Sequence, residues 1–87
     1  MTSIQDDLLK AIDLALDDEW DAAHCLVQKY EADAIASWIH AVLHKIEGDP
    51  DNSRYWYRCA GKLDRATEDP WAELAAIRAE LTGKTST

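Results

Sequence analysis

Asp33-Ala34-Ile35-Ala36-Ser37-Trp38-Ile39-His40-Ala41-Val42-Leu43-His44-Lys45-Ile46-Glu47-Gly48 is the stretch whose spacing decides the fold. Ile35, Trp38, Ile39, Val42 and Ile46 recur every three or four residues, the signature of one face of an α-helix. Asp33 is placed to cap the free amides of its first turn, and Gly48 supplies a left-handed stop. Working forward, Asp49-Pro50 and Asp69-Pro70 each combine an N-cap with proline at the first helical position, where its missing N–H costs nothing. The segments they open end at Gly61 and Gly83. Working backward, Ser3 with Asp6 resembles a capping box, followed by Ile4, Leu8, Leu9, Ile12, Ala15 and Leu16 at helical spacing. Asp17-Asp18-Glu19 then supplies a turn and the negative first turn of a further helix, in which Trp20, Ala23, Val27 and Tyr30 share a face. The chain thus predicts helices over 3–16, 19–30, 34–47, 50–60 and 70–82. No run of four residues alternates with a strand's period, so the fold class is all-α. The expected core is Leu8, Ile12, Trp20, Ala23, Val27, Trp38, Ile39, Val42, Ile46, Tyr57 and Ile77, with Trp71 also on a stripe.

With 87 residues, the chain has interior volume for one domain, read as residues 1–83 with a polar tail at 84–87. Hydrophobic residues make up 47% and charged residues 30%, a globular composition. No apolar run is long enough to span a bilayer and no signal peptide is visible, which points to a cytoplasmic protein. The net charge of −8 is concentrated in residues 1–33, which hold nine acids and two bases. A field of that sign repels phosphate backbones and anionic lipid, so neither nucleic acid nor a membrane surface is an expected partner. Cys25 and Cys59 match no paired-ligand spacing and are expected as free, small hydrophobes.

A shift of 30 residues lays Ala11 on Ala41, Asp18-Glu19 on Gly48-Asp49, Asp21 on Asp51, Ala23 on Ser53 and Val27 on Tyr57. Helical hairpins need small side chains where their helices approach closely, which gives these matches physical sense. From Ala34 to about Thr67, with small Ala41, the Gly48-Asp49 turn, Ser53, Tyr57 and Ala60, the chain resembles one tetratricopeptide (TPR) or Sel1-like repeat. It departs from that pattern at Trp38, one place late, and at His40 and His44. Trp20 to His24, Trp38 to Asp49 and Tyr55 to Gly61 also resemble a family of small uncharacterised bacterial proteins, which implies no activity. The TPR resemblance implies two antiparallel hairpins with a C-terminal capping helix, and an ability to bind proteins or peptides.

The residues that can carry chemistry are few. His40, His44 and Glu47 fall at i, i+4 and i+7, one side of a helix and away from Ile39, Val42 and Ile46. Two imidazoles one turn apart can chelate a metal, and a carboxylate one turn on can ligate or fix a tautomer. The His-Glu-x-x-His order of metalloproteases is missing. The preferred expectation places these histidines in a groove between hairpins, hydrogen-bonded to Tyr55, Tyr57 or backbone, with no metal or cofactor. His24 can join them, depending on a helix rotation that one sequence leaves open. Arg54 and Arg58, flanked by Tyr55, Trp56 and Tyr57, form a basic aromatic edge able to take an acidic partner, or to pair internally with Asp49, Asp51, Asp21 or Glu47. No nucleophile-and-base arrangement is evident, and no catalytic residue is assigned.

Two functions follow as expectations. The first is a non-catalytic interaction module holding a protein or peptide partner, a homodimer through the fourth helix among the candidates, with His24, His40, His44, Glu47, Arg54, Tyr55, Trp56 and Arg58 as its binding residues. The alternative is a metal- or small-ligand-binding protein, an enzyme being one form of it, that uses the histidine cluster.

Overall fold

The caps read in the sequence are the places where the backbone turns. In the computed structural model, which describes residues 3–83, Ser3 accepts the Asp6 amide and opens α1 (Ile4–Leu16). The turn after it places Asp18 at a φ of 62°, and α2 (Trp20–Val27) begins at Glu19 without a side-chain cap. Asp33, Asp49 and Asp69 accept the amides of Ala36, Asn52 and Ala72. They open α3 (Ala34–Glu47), α4 (Pro50–Ala60) and α5 (Pro70–Thr82). Gly48, at φ 87°, ends α3 in the left-handed region that a side chain would strain. Among the described residues there are five α-helices and no strand. None of these helices is long and apolar enough to cross a membrane.

Two details differ from the expectation. The last turn of the second helix tightens into a 3-10 turn over Gln28–Tyr30, and a second one, Leu63–Arg65, occupies a segment read as loop. The polar tail 84–87 lies outside the described residues.

The helices pack so that α1 lies along α2, α3 along α4, and α5 against both α1 and α3. Helix α3 is consequently enclosed: every residue from Ala36 to His44 is buried. Around it lie Leu8, Ala11, Ile12, Ala15, Ala23, Val27, Tyr57, Leu74 and Ile77. Each small or core pair of the 30-residue repeat, Ala11 and Ala41, Ala23 and Ser53, Val27 and Tyr57, is buried in both copies. Ser53 shows why small matters there, because its Oγ donates to the Ala41 carbonyl at 2.8 Å across the α3–α4 contact. Trp20 and Ile46 are only partly buried and flank the core they were expected to fill. Trp71, in the first turn of α5, is 44% accessible. Leu43 and Leu74 are fully buried instead.

The residue that the hydrophobic pattern hides is Glu73, which is inside the core. Its carboxylate accepts from Trp38 Nε1 at 2.7 Å, from the Tyr57 hydroxyl at 2.8 Å and from Lys45 Nζ at 2.7 Å. Lys45 also donates to the Glu68 carbonyl at 2.7 Å, which ties down the segment between α4 and α5. Burial raises the Tyr57 phenol above its ordinary range, and its hydrogen bond to Glu73 raises it further. The phenol is therefore a donor throughout the working pH range. Lys62 and Arg65 lie over the Trp38 ring at 4.6 and 5.3 Å. This network pins α5 to α3 and α4. Removing the carboxylate leaves Lys45 without its counter-charge and two buried donors without an acceptor, so Glu73→Ala should lower unfolding free energy by about 3–5 kcal/mol. Urea denaturation checks this, and a loss below about 1 kcal/mol would show that the donors find other partners.

Candidate metal centre

The polar side of α3 carries His40 and His44, one turn apart, and enclosure of the helix takes both out of bulk water. Little solvent reaches them, so neighbouring side chains supply most of their partners. His24 comes from α2, held in place by Trp20 one turn earlier, whose ring stacks on it at 4.6 Å and 17°. Trp20 is itself fixed, since its Nε1 donates to the Leu43 carbonyl of α3 at 2.7 Å. Trp56 of α4 closes the other side, stacked on His40 at 3.9 Å and 13°. Two tryptophans thus sandwich an imidazole cluster drawn from two helices.

Within the cluster, Nε2 of His24 and Nε2 of His40 are 3.0 Å apart. The rings of His40 and His44 stack at 4.9 Å, and those of His24 and His44 meet edge-on at 5.2 Å. A ligating nitrogen from each of the three lies within 4.8 Å of the others. His44 Nδ1 donates to Glu47 Oε2 at 2.5 Å. That bond fixes the tautomer, so the nitrogen left to ligate is His44 Nε2.

The distances can be compared with what an ion needs. Two nitrogens at 2.0–2.1 Å from a tetrahedral zinc stand about 3.3 Å apart. The His24–His40 separation of 3.0 Å already matches this closely. Without an ion, the same separation makes one N–H···N hydrogen bond, in which one ring donates and the other accepts.

The surroundings oppose protonation of His40 and His24. Burial, followed by the adjacent His24 and His44, pushes the His40 imidazole down to about 3. His24 is lowered also, first by burial and then by His44, while Glu47 and Asp21 pull it the other way. Neutral imidazole is the form with a lone pair to give a metal.

Of the residues singled out in the sequence, His24, His40, His44 and Glu47 are brought together, with Trp56 against them. Tyr55 and Tyr57 are not the histidines' partners, contrary to expectation: Tyr57 turns into the core toward Glu73, and Tyr55 is 55% exposed. The reason is rotation, because adjacent residues on a helix point about 100° apart, and Trp56 takes the inward place beside His40. The aromatic face expected on the fourth helix is therefore largely used inside the molecule. Arg54 pairs with Asp51 at 3.3 Å on the surface, and Arg58 is exposed. Cys25 and Cys59 are free thiols, as expected, but both are exposed and fill no core space. Glu73 and Lys45 were missed, for their partners lie on other helices and no local spacing announces them. No known family model, curated protein or solved structure matches this chain.

The depressed imidazoles make stability depend on pH in a definite direction. Between the unfolded histidine value of about 6.5 and the native His40 value of about 3, the unfolded chain binds more protons than the native one. This contribution is therefore whole above about pH 6.5 and is lost as pH falls toward about 3. In chelator-treated protein the urea midpoint should drop between about pH 7 and about pH 5, above most carboxylate titration, and His40→Asn should flatten that limb. A wild-type midpoint constant over this range would contradict the burial of neutral histidines.

Proposed function

We propose that this protein binds one first-row divalent transition-metal ion through His24, His40 and His44, with Glu47 orienting His44 from behind. The observation that carries the reading is the convergence of three imidazoles from two helices, a ligand atom of each lying within 4.8 Å of the others. Three nitrogen donors suit zinc, copper, nickel or cobalt, and they suit magnesium and calcium poorly. The Glu47 contact to His44 Nδ1 is the arrangement that ligating histidines ordinarily carry. Acidic Asp21 and Glu47 add a field that favours a cation. The donor set is nitrogen alone, since Cys25, next in sequence to His24, belongs to the wall of a different cavity with Lys10, Leu14 and Leu26.

Calorimetric titration of chelator-treated protein with zinc should give one ion per chain. His24 is the half-exposed ligand, so His24→Gln keeps the fold while lowering affinity by at least about 100-fold. Quenching of Trp20 and Trp56 fluorescence by copper provides a second readout at the same site. Absence of stoichiometric binding by wild-type protein would remove the reading.

A second function, a protein- or peptide-binding module of two TPR-like hairpins capped by α5, is favoured by a narrower observation. Tyr55 stands exposed on α4 between exposed Arg54 and Arg58, a composition common at interfaces. A homodimer through this edge would set the arginines against the acidic first third of the neighbouring chain. Sedimentation equilibrium should then show association that weakens with salt and is lost in Tyr55→Ala. A strict monomer at every concentration excludes the homodimer.

A further inference from the structure

The ion's coordination shell, on the reading that His24, His40 and His44 hold one, has a gap with chemical consequences. Among the described residues, no further histidine, cysteine, aspartate or glutamate offers an atom within 4.8 Å of all three imidazole donors. Glu47 is committed to the far nitrogen of His44, and Asp49 groups with Glu47 and His44, away from His24 and His40. Three protein nitrogens leave a tetrahedral ion one position short, the condition that separates reactive metal sites from closed structural ones.

We propose that the fourth position is open and takes a small exogenous donor, water at rest and a monodentate anion in competition with it. Solvent reaches the place. His24 is half-exposed. No buried side-chain polar atom among the described residues lacks a partner, so the ring nitrogens of His40 and His44 that make no hydrogen bond touch water. Size is limited. The stacked rings of Trp20 and Trp56 wall the site on two sides, 4.6 Å from the His24 ring and 3.9 Å from the His40 ring. An entering ligand is therefore a few atoms across, such as hydroxide, azide or a carboxylate tip. Binding is a plain exchange in which the anion's lone pair replaces that of water, and the water leaves intact.

Cobalt(II) and azide test this on the whole chain. Cobalt reports its coordination number through visible d–d absorption and reveals thiolate ligands through charge-transfer bands in the near ultraviolet. The expected result is one cobalt per chain, a spectrum that shifts saturably with azide, and the same shift in Cys25→Ser. Stoichiometric cobalt with a spectrum indifferent to azide would overturn the open position and leave the metal site standing. So would a thiolate band lost in Cys25→Ser, or cobalt-dependent dimerisation that abolishes the azide response, because each supplies the fourth ligand from protein. Failure to bind cobalt at all removes the metal site and the open position together.

Discussion

Enclosure of α3 is the constraint from which the rest of the structure follows. A helix buried along nine consecutive residues, Ala36 to His44, has no side that can be left to water. Its apolar stripe is met by leucine, isoleucine and alanine side chains from α1, α2 and α5. Its polar residues then need partners of their own, because an unpaired buried polar group costs about 1–3 kcal/mol. Ser37 reaches the Glu31 carbonyl, and His40 and His44 find His24 and Glu47. The indole N–H of Trp38, on the opposite side, finds Glu73. Helices α2, α4 and α5 are thus fixed to α3 by a polar contact as well as by apolar area. Apolar packing supplies most of the stability, being non-directional, while the polar contacts select which rotation of each helix is the native one.

Much of this was legible because helix ends are local events. Ser3, Asp33, Asp49 and Asp69 act within three residues of themselves, and Gly48, Gly61 and Gly83 act through their own φ angles. A short window of sequence contains everything such a signal needs. Ala11, Ala23, Ala41 and Ser53, singled out as small residues at matching positions, are all buried. Trp71 and the Leu63–Arg65 turn were not legible. Trp71 lies three residues before Leu74, but the buried side of α5 is that of Glu73, Leu74 and Ile77, and at about 100° per residue Trp71 falls to one flank of it. The 3-10 turn has no apolar pattern and exists because Lys45 binds the carbonyls of Arg65 and Ala66 from another helix.

The candidate site divides along the same line. His40, His44 and Glu47 share a side of one helix, so their proximity is a matter of 3.6-residue geometry and could be read directly. His24 depends on how α2 is rotated against α3, a quantity set by Trp20 packing against the Leu43 carbonyl and by Ala23 entering the core. Neither fact belongs to the helix that carries the other two histidines. Glu73 is the extreme case, a carboxylate that no local pattern assigns to the core, drawn in by three donors 16 to 35 residues distant in sequence. A charged residue is assigned to the surface until its partners are known, and partners at that distance leave no periodic trace.

Comparison of the two buried polar clusters separates structure from chemistry. Glu73 is saturated: its two oxygens receive an indole, a phenol and an ammonium, and Lys45 balances its charge. Nothing further can bind there without breaking a bond already made, so the cluster serves the fold. The histidines are not saturated. Counted as neutral rings, three imidazoles hold three N–H groups and three lone pairs. Glu47 takes one N–H, and the His24–His40 contact uses one N–H and one lone pair. Two lone pairs remain, that of His44 Nε2 and one on an outer Nδ1 of the His24–His40 pair, while burial opposes protonation of His40. An ion bound as proposed would take the His44 Nε2 lone pair and send the proton shared by His24 and His40 to an outer Nδ1, so that both Nε2 atoms could ligate. The asymmetry between the two clusters, and not the count of histidines, distinguishes a candidate metal centre from a satisfied core.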